Sequence, residues 1–175
     1  MDFDFRKMDK KDGKIVMEYR QEFLKENDVI KGTKCLEDFD NFDEYCQNLE
    51  LEKDGEPKMT QYLFIRKSDY KLVGMAIIRH ELKNSNKDVG GHLGVGIRPS
   101  ERKKGYGDLM IKYAFEECAN LGITSILMTC TSKNLPSIKN IKKNGGKYAG
   151  DTLNQFGEKV ERYWIDLKGE KNEKG

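Results

Sequence analysis

The sequence predicts an α+β fold: a central, mostly antiparallel, twisted sheet of about six to seven strands flanked by about four helices, in the order βααβββαβαββ. Three observations carry that expectation. Apolar residues near the N-terminus recur every four positions, as on one face of a helix. Three runs rich in β-branched and aromatic residues follow one another between residues 60 and 97. Beyond Lys104, helical and strand spacings alternate to the end of the chain. At 175 residues, with neither an internal repeat nor a linker, the chain is expected to form one domain over 1–175.

Each element has its own local reason. Phe3 to Met8 alternates as a short strand, and Ile15, Tyr19 and Phe23 mark the helix after it. Residues 36–56 hold nine acidic residues against the single Lys53, with Phe39, Phe42, Tyr45 and Leu49 at helical spacing. That pattern reads as a second helix with a solvated acidic face. TQYLFIRK (60–67) and KLVGMAIIRHEL (71–82) form a hairpin about Ser68, Asp69 and Tyr70. The polar break KNSNKD (83–88) leads into a third antiparallel strand, VGGHLGVGI (89–97), whose four glycines are unusual in a strand interior. Glycine there marks a bulge or the close approach of a ligand or another backbone, so a ligand is expected along residues 94–97.

From Lys104 the period changes to 3.6, with Leu109, Met110, Tyr113, Ala114 and Cys118 on one face and Leu121-Gly122 as the stop. SILMTC (125–130) is a buried strand, a helix runs from Leu135 to Asn144 before Gly145-Gly146, and two strands near 147–151 and 157–167 complete the chain.

Composition narrows the function classes. Lys+Arg of 32 against Asp+Glu of 30 leaves a formal charge of +2, far from the basic balance of a nucleic-acid-binding domain, so any bound anion is small and local. The four cysteines form no CxxC pair and only His80 and His92 could join them, which argues against a metal site and for reduced thiols in a cytoplasmic protein. No apolar leader opens the chain and no window of about 18 apolar residues occurs in it, so no membrane association is expected. A homodimer is compatible with this composition.

The stretch ERKKGYGDLM (101–110) sets cations and two glycines directly before a helix. Such a turn presents backbone N–H groups at the positive end of the helix macrodipole, which is an anion cradle. Gly105 and Gly107 let the backbone approach a diphosphate, and Arg102, Lys103 and Lys104 add charge around it. On spacing alone, an ordinary loop with surface lysines accounts for the stretch equally well. Neither common nucleotide motif fits: GxxxxGK[ST] is absent, and Gly105-Tyr106-Gly107 is followed by Met110 where a dinucleotide fingerprint needs a third glycine.

IRPSERKKGYG (97–107) resembles the V-x-P-x-x-R-x-x-G-x-G signature of the GNAT superfamily of acyl-CoA N-acyltransferases. Asn134-Leu135-Pro136-Ser137, with Lys143-Asn144-Gly145 downstream, is similar to that superfamily's second motif at the expected distance, and the element order agrees over nearly the whole chain. The RHEL, GGHLG and RPSER segments look most like bacterial acetyltransferases of unassigned substrate. The resemblance implies acetyl-CoA as acyl donor, a primary amine as acceptor, and no metal. It implies that Arg102, Lys103, Lys104, Gly105, Tyr106, Gly107 and Asp108 hold the pyrophosphate, chiefly through backbone N–H groups. Val95 and Ile97 would pair with pantetheine by strand addition, and Asn134 and Ser137 would lie near the acyl end. Asn134 also suits a plain helix N-terminus.

Attack of an amine on a thioester requires the ammonium, of pKa about 10.4, to lose a proton first. His92 and His80 are the only side chains with an ordinary pKa near neutrality. Folding the hairpin about residue 86 sets them roughly opposite one another, with His92 as base and His80 orienting it. A shared structural hydrogen bond is the alternative. The superfamily's usual tyrosine acid would fall seven residues after Asn134, where this chain has Ile141, leaving Cys130 and Tyr148 as substitutes. A thiolate of pKa near 8.5 leaves without full protonation, so an active enzyme remains the expectation. A non-catalytic acyl-CoA-binding module is the alternative.

Overall fold

The computed structural model describes residues 2–51, 55–83 and 90–167. Seven strands and four α-helices alternate in the expected order: β1 (Phe3–Lys7), α1 (Gly13–Lys25), α2 (Phe42–Glu50), β2 (Met59–Arg66), β3 (Lys71–Arg79), β4 (Leu93–Ile97), α3 (Tyr106–Asn120), β5 (Ser125–Thr131), α4 (Leu135–Lys143), β6 (Lys147–Leu153) and β7 (Lys159–Asp166). The strands form two antiparallel sheets, β1-β2-β3-β4 and β5-β7-β6, where the sequence suggested one. β2 and β3 are joined by a tight turn and β3 pairs with β4 as its chain neighbour, whereas β1 reaches β2 only after α1 and α2, and β7 inserts between β5 and β6, choices that tertiary packing makes.

Alternation along β2 explains the layering. Tyr62 and Phe64 face a core shared with Met110, Ala114 and Cys118 of α3, while Leu63 and Ile65 face a second core under Val16, Tyr19 and Phe23 of α1. Each such apolar side chain contributes about 1.5–3 kcal/mol on burial, more than helix propensity supplies to α1. The acidic helix is shorter than its pattern suggested. Asn41 caps α2, its Oδ1 accepting the Glu44 N–H at 3.1 Å, and Leu36–Asp38 upstream is a separate 3₁₀ turn.

The glycines of β4 answer to the chain itself. A Cβ on Gly96 would stand 2.4 Å from the Lys31 carbonyl oxygen, and one on Gly32 would stand 2.5 Å from that of Met75. The loop between α1 and α2 thus lies backbone against backbone on β4, so the close approach expected of a ligand on this face is made by residues 31–33. Tyr19 fastens the same contact by donating its hydroxyl to the Gly96 carbonyl at 3.3 Å.

Candidate active site

β4 is the last strand of its sheet, and its hydrogen-bond phase decides what its outer edge offers. Arg98 N–H donates to Val73 O at 2.9 Å and Arg79 N–H to His92 O at 2.7 Å, in register with Gly74↔Ile97 and Ile78↔Leu93. In an antiparallel ladder alternate residues bond to the neighbour, so Leu93, Val95 and Ile97 turn their N–H and C=O groups toward the opposite edge. That edge faces β5. The two strands touch only near one end, where His92 N–H donates to Leu127 O at 2.8 Å and Leu127 N–H donates to His92 Nδ1 at 3.0 Å. Beyond this joint they diverge around a cleft of about 310 Å³ lined by Val95, Cys130, Asn134 and Ser137 among others. A second cavity of about 390 Å³, between β1, α2 and β2, shares no lining residue with it and meets neither motif.

The C-terminal end of β4 runs into the cradle. Lys103, at φ +63°, and Gly105, at φ +81°, turn the chain into α3, whose N-terminus has no side-chain cap. Its first-turn N–H groups therefore face outward beside the open edge of β4. A Cβ on Gly107 would meet Asn140 Nδ2 at 3.3 Å, so this glycine sets how closely α3 approaches α4.

The cradle's side chains mostly secure its shape. Arg102 donates from Nε to the Ile97 carbonyl at 3.0 Å, pairs with Asp28 at 2.6 Å and covers the Phe23 ring, which spends its charge on the chain itself. Lys103 is exposed, and Lys104 Nζ reaches Glu101 at 3.0 Å. The Asp108 carboxylate ties α3 to α4 by accepting from Asn144 Nδ2 at 2.7 Å. Burial pushes its pKa up, but hydrogen bonds from Asn144, Lys112 and Lys143 hold it down at about 2. The Asp108 carboxylate would repel a phosphate; its backbone N–H would not.

The two histidines are not brought together. Arg79, not His80, lies opposite His92, and His80 Nε2 instead lies 2.8 Å from Thr60 Oγ1 on the other side of β3. A one-residue offset reverses the face, so the expected pairing of the two histidines fails by one position of register. His92 is buried at the sheet joint, and burial lowers its pKa. Because Nδ1 accepts the Leu127 N–H, the neutral ring carries its proton on Nε2 and has no spare lone pair for a substrate. His80 titrates low as well, through burial and then the nearby charges of Lys58 and Lys7.

Asn134 caps α4, its Oδ1 accepting the Ser137 N–H at 3.3 Å, while both residues line the cleft. Ile141 is buried in the core against Gly146, a turn further along α4 than Ser137, and does not line the cleft. Of the substitute acids, Cys130 lines the cleft, with burial raising its thiol pKa. Tyr148 lies outside it, exposed on β6 and donating its hydroxyl to Asp151 at 2.5 Å.

A family model described as "Acetyltransferase (GNAT) family" matches residues 16–145, which span the β4 edge, the cradle and the α4 motif. The chain belongs to the acetyltransferase (GNAT) family. No curated protein matches it in sequence. Among solved structures, the dodecameric spermidine N-acetyltransferase from Vibrio cholerae superposes with a TM-score of 0.71 at 14% identity, covering 99% of this chain and 98% of that one. A structure of mutant forms of the spermidine/spermine N-acetyltransferase SpeG from the same organism gives 0.70 at 13%, covering 99% of this chain and 100% of that one. At these identities the likeness is one of fold.

As a GNAT acetyltransferase, the chain has two site features that motif reading passed over. Glu101, only 3% exposed, gathers Arg66, Lys71 and Lys104 at 2.7, 3.2 and 3.0 Å, and those hydrogen bonds, Arg66 foremost, hold its pKa at about 2. It is the buried anion that fixes the cradle loop, and its neighbour Arg102 was the only signal for it. Arg79 reaches the cleft from the end of β3, where nothing in a hairpin pattern marks an arginine as functional.

Proposed function

We propose that the protein transfers an acetyl group from acetyl-CoA to a primary amine by direct attack within a ternary complex. The observation that carries this reading is the unpaired edge of β4 at Leu93, Val95 and Ile97, opening on the cleft and continuous with the uncapped N-terminus of α3. Such an edge receives an extended, amide-bearing chain as an added strand, and such a helix terminus receives its phosphates. Pantetheine joined to a pyrophosphate has both parts in that order. The Ile97 carbonyl is already engaged by Arg102, which leaves Leu93 and Val95 as the edge residues with both groups to offer.

In the transfer, the amine nitrogen forms a bond to the thioester carbonyl carbon, the carbon–sulfur bond breaks, the thiolate departs, and the nitrogen's second proton passes to the thiolate or to water as the amide forms. An edge N–H of β4 is the donor at hand for charge developing on the carbonyl oxygen. Among the described residues that line the cleft there is no carboxylate and no imidazole. We therefore assign the proton lost by the ammonium to water in the open cleft, and to His92 the positioning of β4 against β5. The leaving thiolate, of pKa near 8.5, needs no tyrosine. Cys130 is the one cleft thiol able to supply a proton to it.

A thiol-release assay with acetyl-CoA and a panel of primary amines tests this reading. Amine-dependent release, with acetylated amine found by mass spectrometry, is expected. Acetyl-CoA binding without release on any amine would favour the non-catalytic module.

A further inference from the structure

The charges of the cleft are one-sided. Among the described residues its ionised side chains are those of Lys31 and Arg79, and no aspartate or glutamate lines it. Arg79 is poorly served by its own chain. Its Nη1 donates to the Gly90 carbonyl at 3.3 Å, and among the described residues no carboxylate lies within ion-pair distance of it. Glu56, which favours its charge from further away, is paired with Lys34 at 3.3 Å. Burial disfavours the Arg79 cation, and a half-buried guanidinium with most of its five donors unspent is costly without an anion.

The donor's phosphates are not that anion. They would lie in the cradle after Ile97, whereas Arg79 is paired with His92 at the other end of β4, five strand residues and about 16 Å away. An extended donor laid along β4 from the cradle reaches Arg79 only after its thioester, where the acceptor must enter.

We infer that the acceptor carries a carboxylate in addition to the amine that is acetylated, and that the Arg79 guanidinium recognises it. This rests on the placement of acetyl-CoA given above. The fork of an arginine matches a carboxylate in a two-point contact, and Lys31 adds a second positive charge in the same cleft. A polyamine, which is all cation, meets the wrong sign here: two positive side chains and no acid.

The test is a calorimetric titration of the common α-amino acids and their decarboxylated twins, such as lysine with cadaverine and phenylalanine with phenethylamine, together with spermidine. Saturating CoA fills the donor site, so binding is read apart from turnover. At least one amino acid is expected to bind tenfold or more tighter than its twin. Arg79→Gln should weaken it by roughly 30- to 1,000-fold and abolish the difference, with Arg79→Lys intermediate because it keeps charge but not the fork. CoA affinity reports whether each variant is folded, and the wild-type comparison decides the matter if neither is. Equal binding of the twins, tighter binding of spermidine, unchanged affinity in a folded Arg79→Gln variant, or binding by no member would overturn the inference. An amino acid that binds but is never acetylated would sink the transfer reading and leave this one standing.

Discussion

Replacing His92 by alanine separates a joint from a base. In the wild type, His92 Nδ1 accepts the N–H of Leu127, a fully buried residue, and the imidazole meets the Trp164 ring with centroids 6.3 Å apart. Alanine leaves that N–H without a partner, at about 1–3 kcal/mol, and removes an aromatic contact of about 0.5–1.5 kcal/mol. A loss of about 2–4 kcal/mol follows, or roughly 4–16 °C in Tm for a domain of this size. Asparagine at the same position can offer its Oδ1 to Leu127 but has no titrating group, so His92→Asn should recover most of the stability. Because burial sets the His92 pKa below its ordinary 6.5, the unfolded chain binds the proton more readily. The histidine's contribution is therefore complete above about pH 6.5 and declines as pH falls through the folded value. Urea melts of wild type, His92→Ala and His92→Asn from pH 5 to 8 measure all of this, with kcat/KM followed in parallel. If His92→Asn keeps wild-type stability but loses 10²-fold or more in kcat/KM, the imidazole is doing proton chemistry and the joint is not its role.

Three other outcomes are expected. Glu101→Gln should weaken the cradle and cost about 3–5 kcal/mol, since it strips Arg66, Lys71 and Lys104 of their shared anion. With a folded pKa of about 2 against an ordinary 4.5, Glu101 stabilises above pH 4.5 and loses that effect as pH falls toward 2, so acid melts of the variant should be flatter there. Ile141→Ala should cost about 2–5 kcal/mol through a cavity at the Gly146 contact, visible in Tm, with the pH profile of kcat unmoved. Tyr148→Phe should leave kcat at every pH as in the wild type, because its hydroxyl is spent on Asp151 outside the cleft; a basic limb that vanished in this variant would show a phenol serving as acid.

What could be read in advance was what is local. Helix and strand spacings placed the eleven elements in order and most of them to within a few residues, although α2 spans 42–50 where the pattern suggested 36–56, and the glycine and cation content of residues 101–107 marked the cradle, because a turn into a helix is written in consecutive positions. What depends on phase or on distant partners was not legible. The β4 glycines correctly signalled close approach, yet the approaching backbone is that of residues 31–33. His80 and His92 missed one another by a single residue of register, and the bond from Leu127 to His92 spans 35 positions that no period connects. Ile141 sits at the position where the superfamily's acid would fall, yet it packs into the core and does not line the cleft, a depth that spacing along the helix does not give. Arg79 looked like the polar end of a strand, and only the cleft around it makes its charge conspicuous.

The central claim, that the open edge of β4 is the acetyl-CoA platform, is tested most directly by calorimetry of acetyl-CoA with the Val95→Pro variant. Proline removes one N–H, and at Val95 that group points away from β3, so the ladder keeps its bonds. Gly94, the residue before it, is already extended as the proline requires. Val95→Ala trims the side chain while keeping the N–H and serves as the matched control. The account predicts micromolar binding in wild type and Val95→Ala, and a loss of tenfold or more in a folded Val95→Pro variant. Full acetyl-CoA affinity in that variant would contradict it.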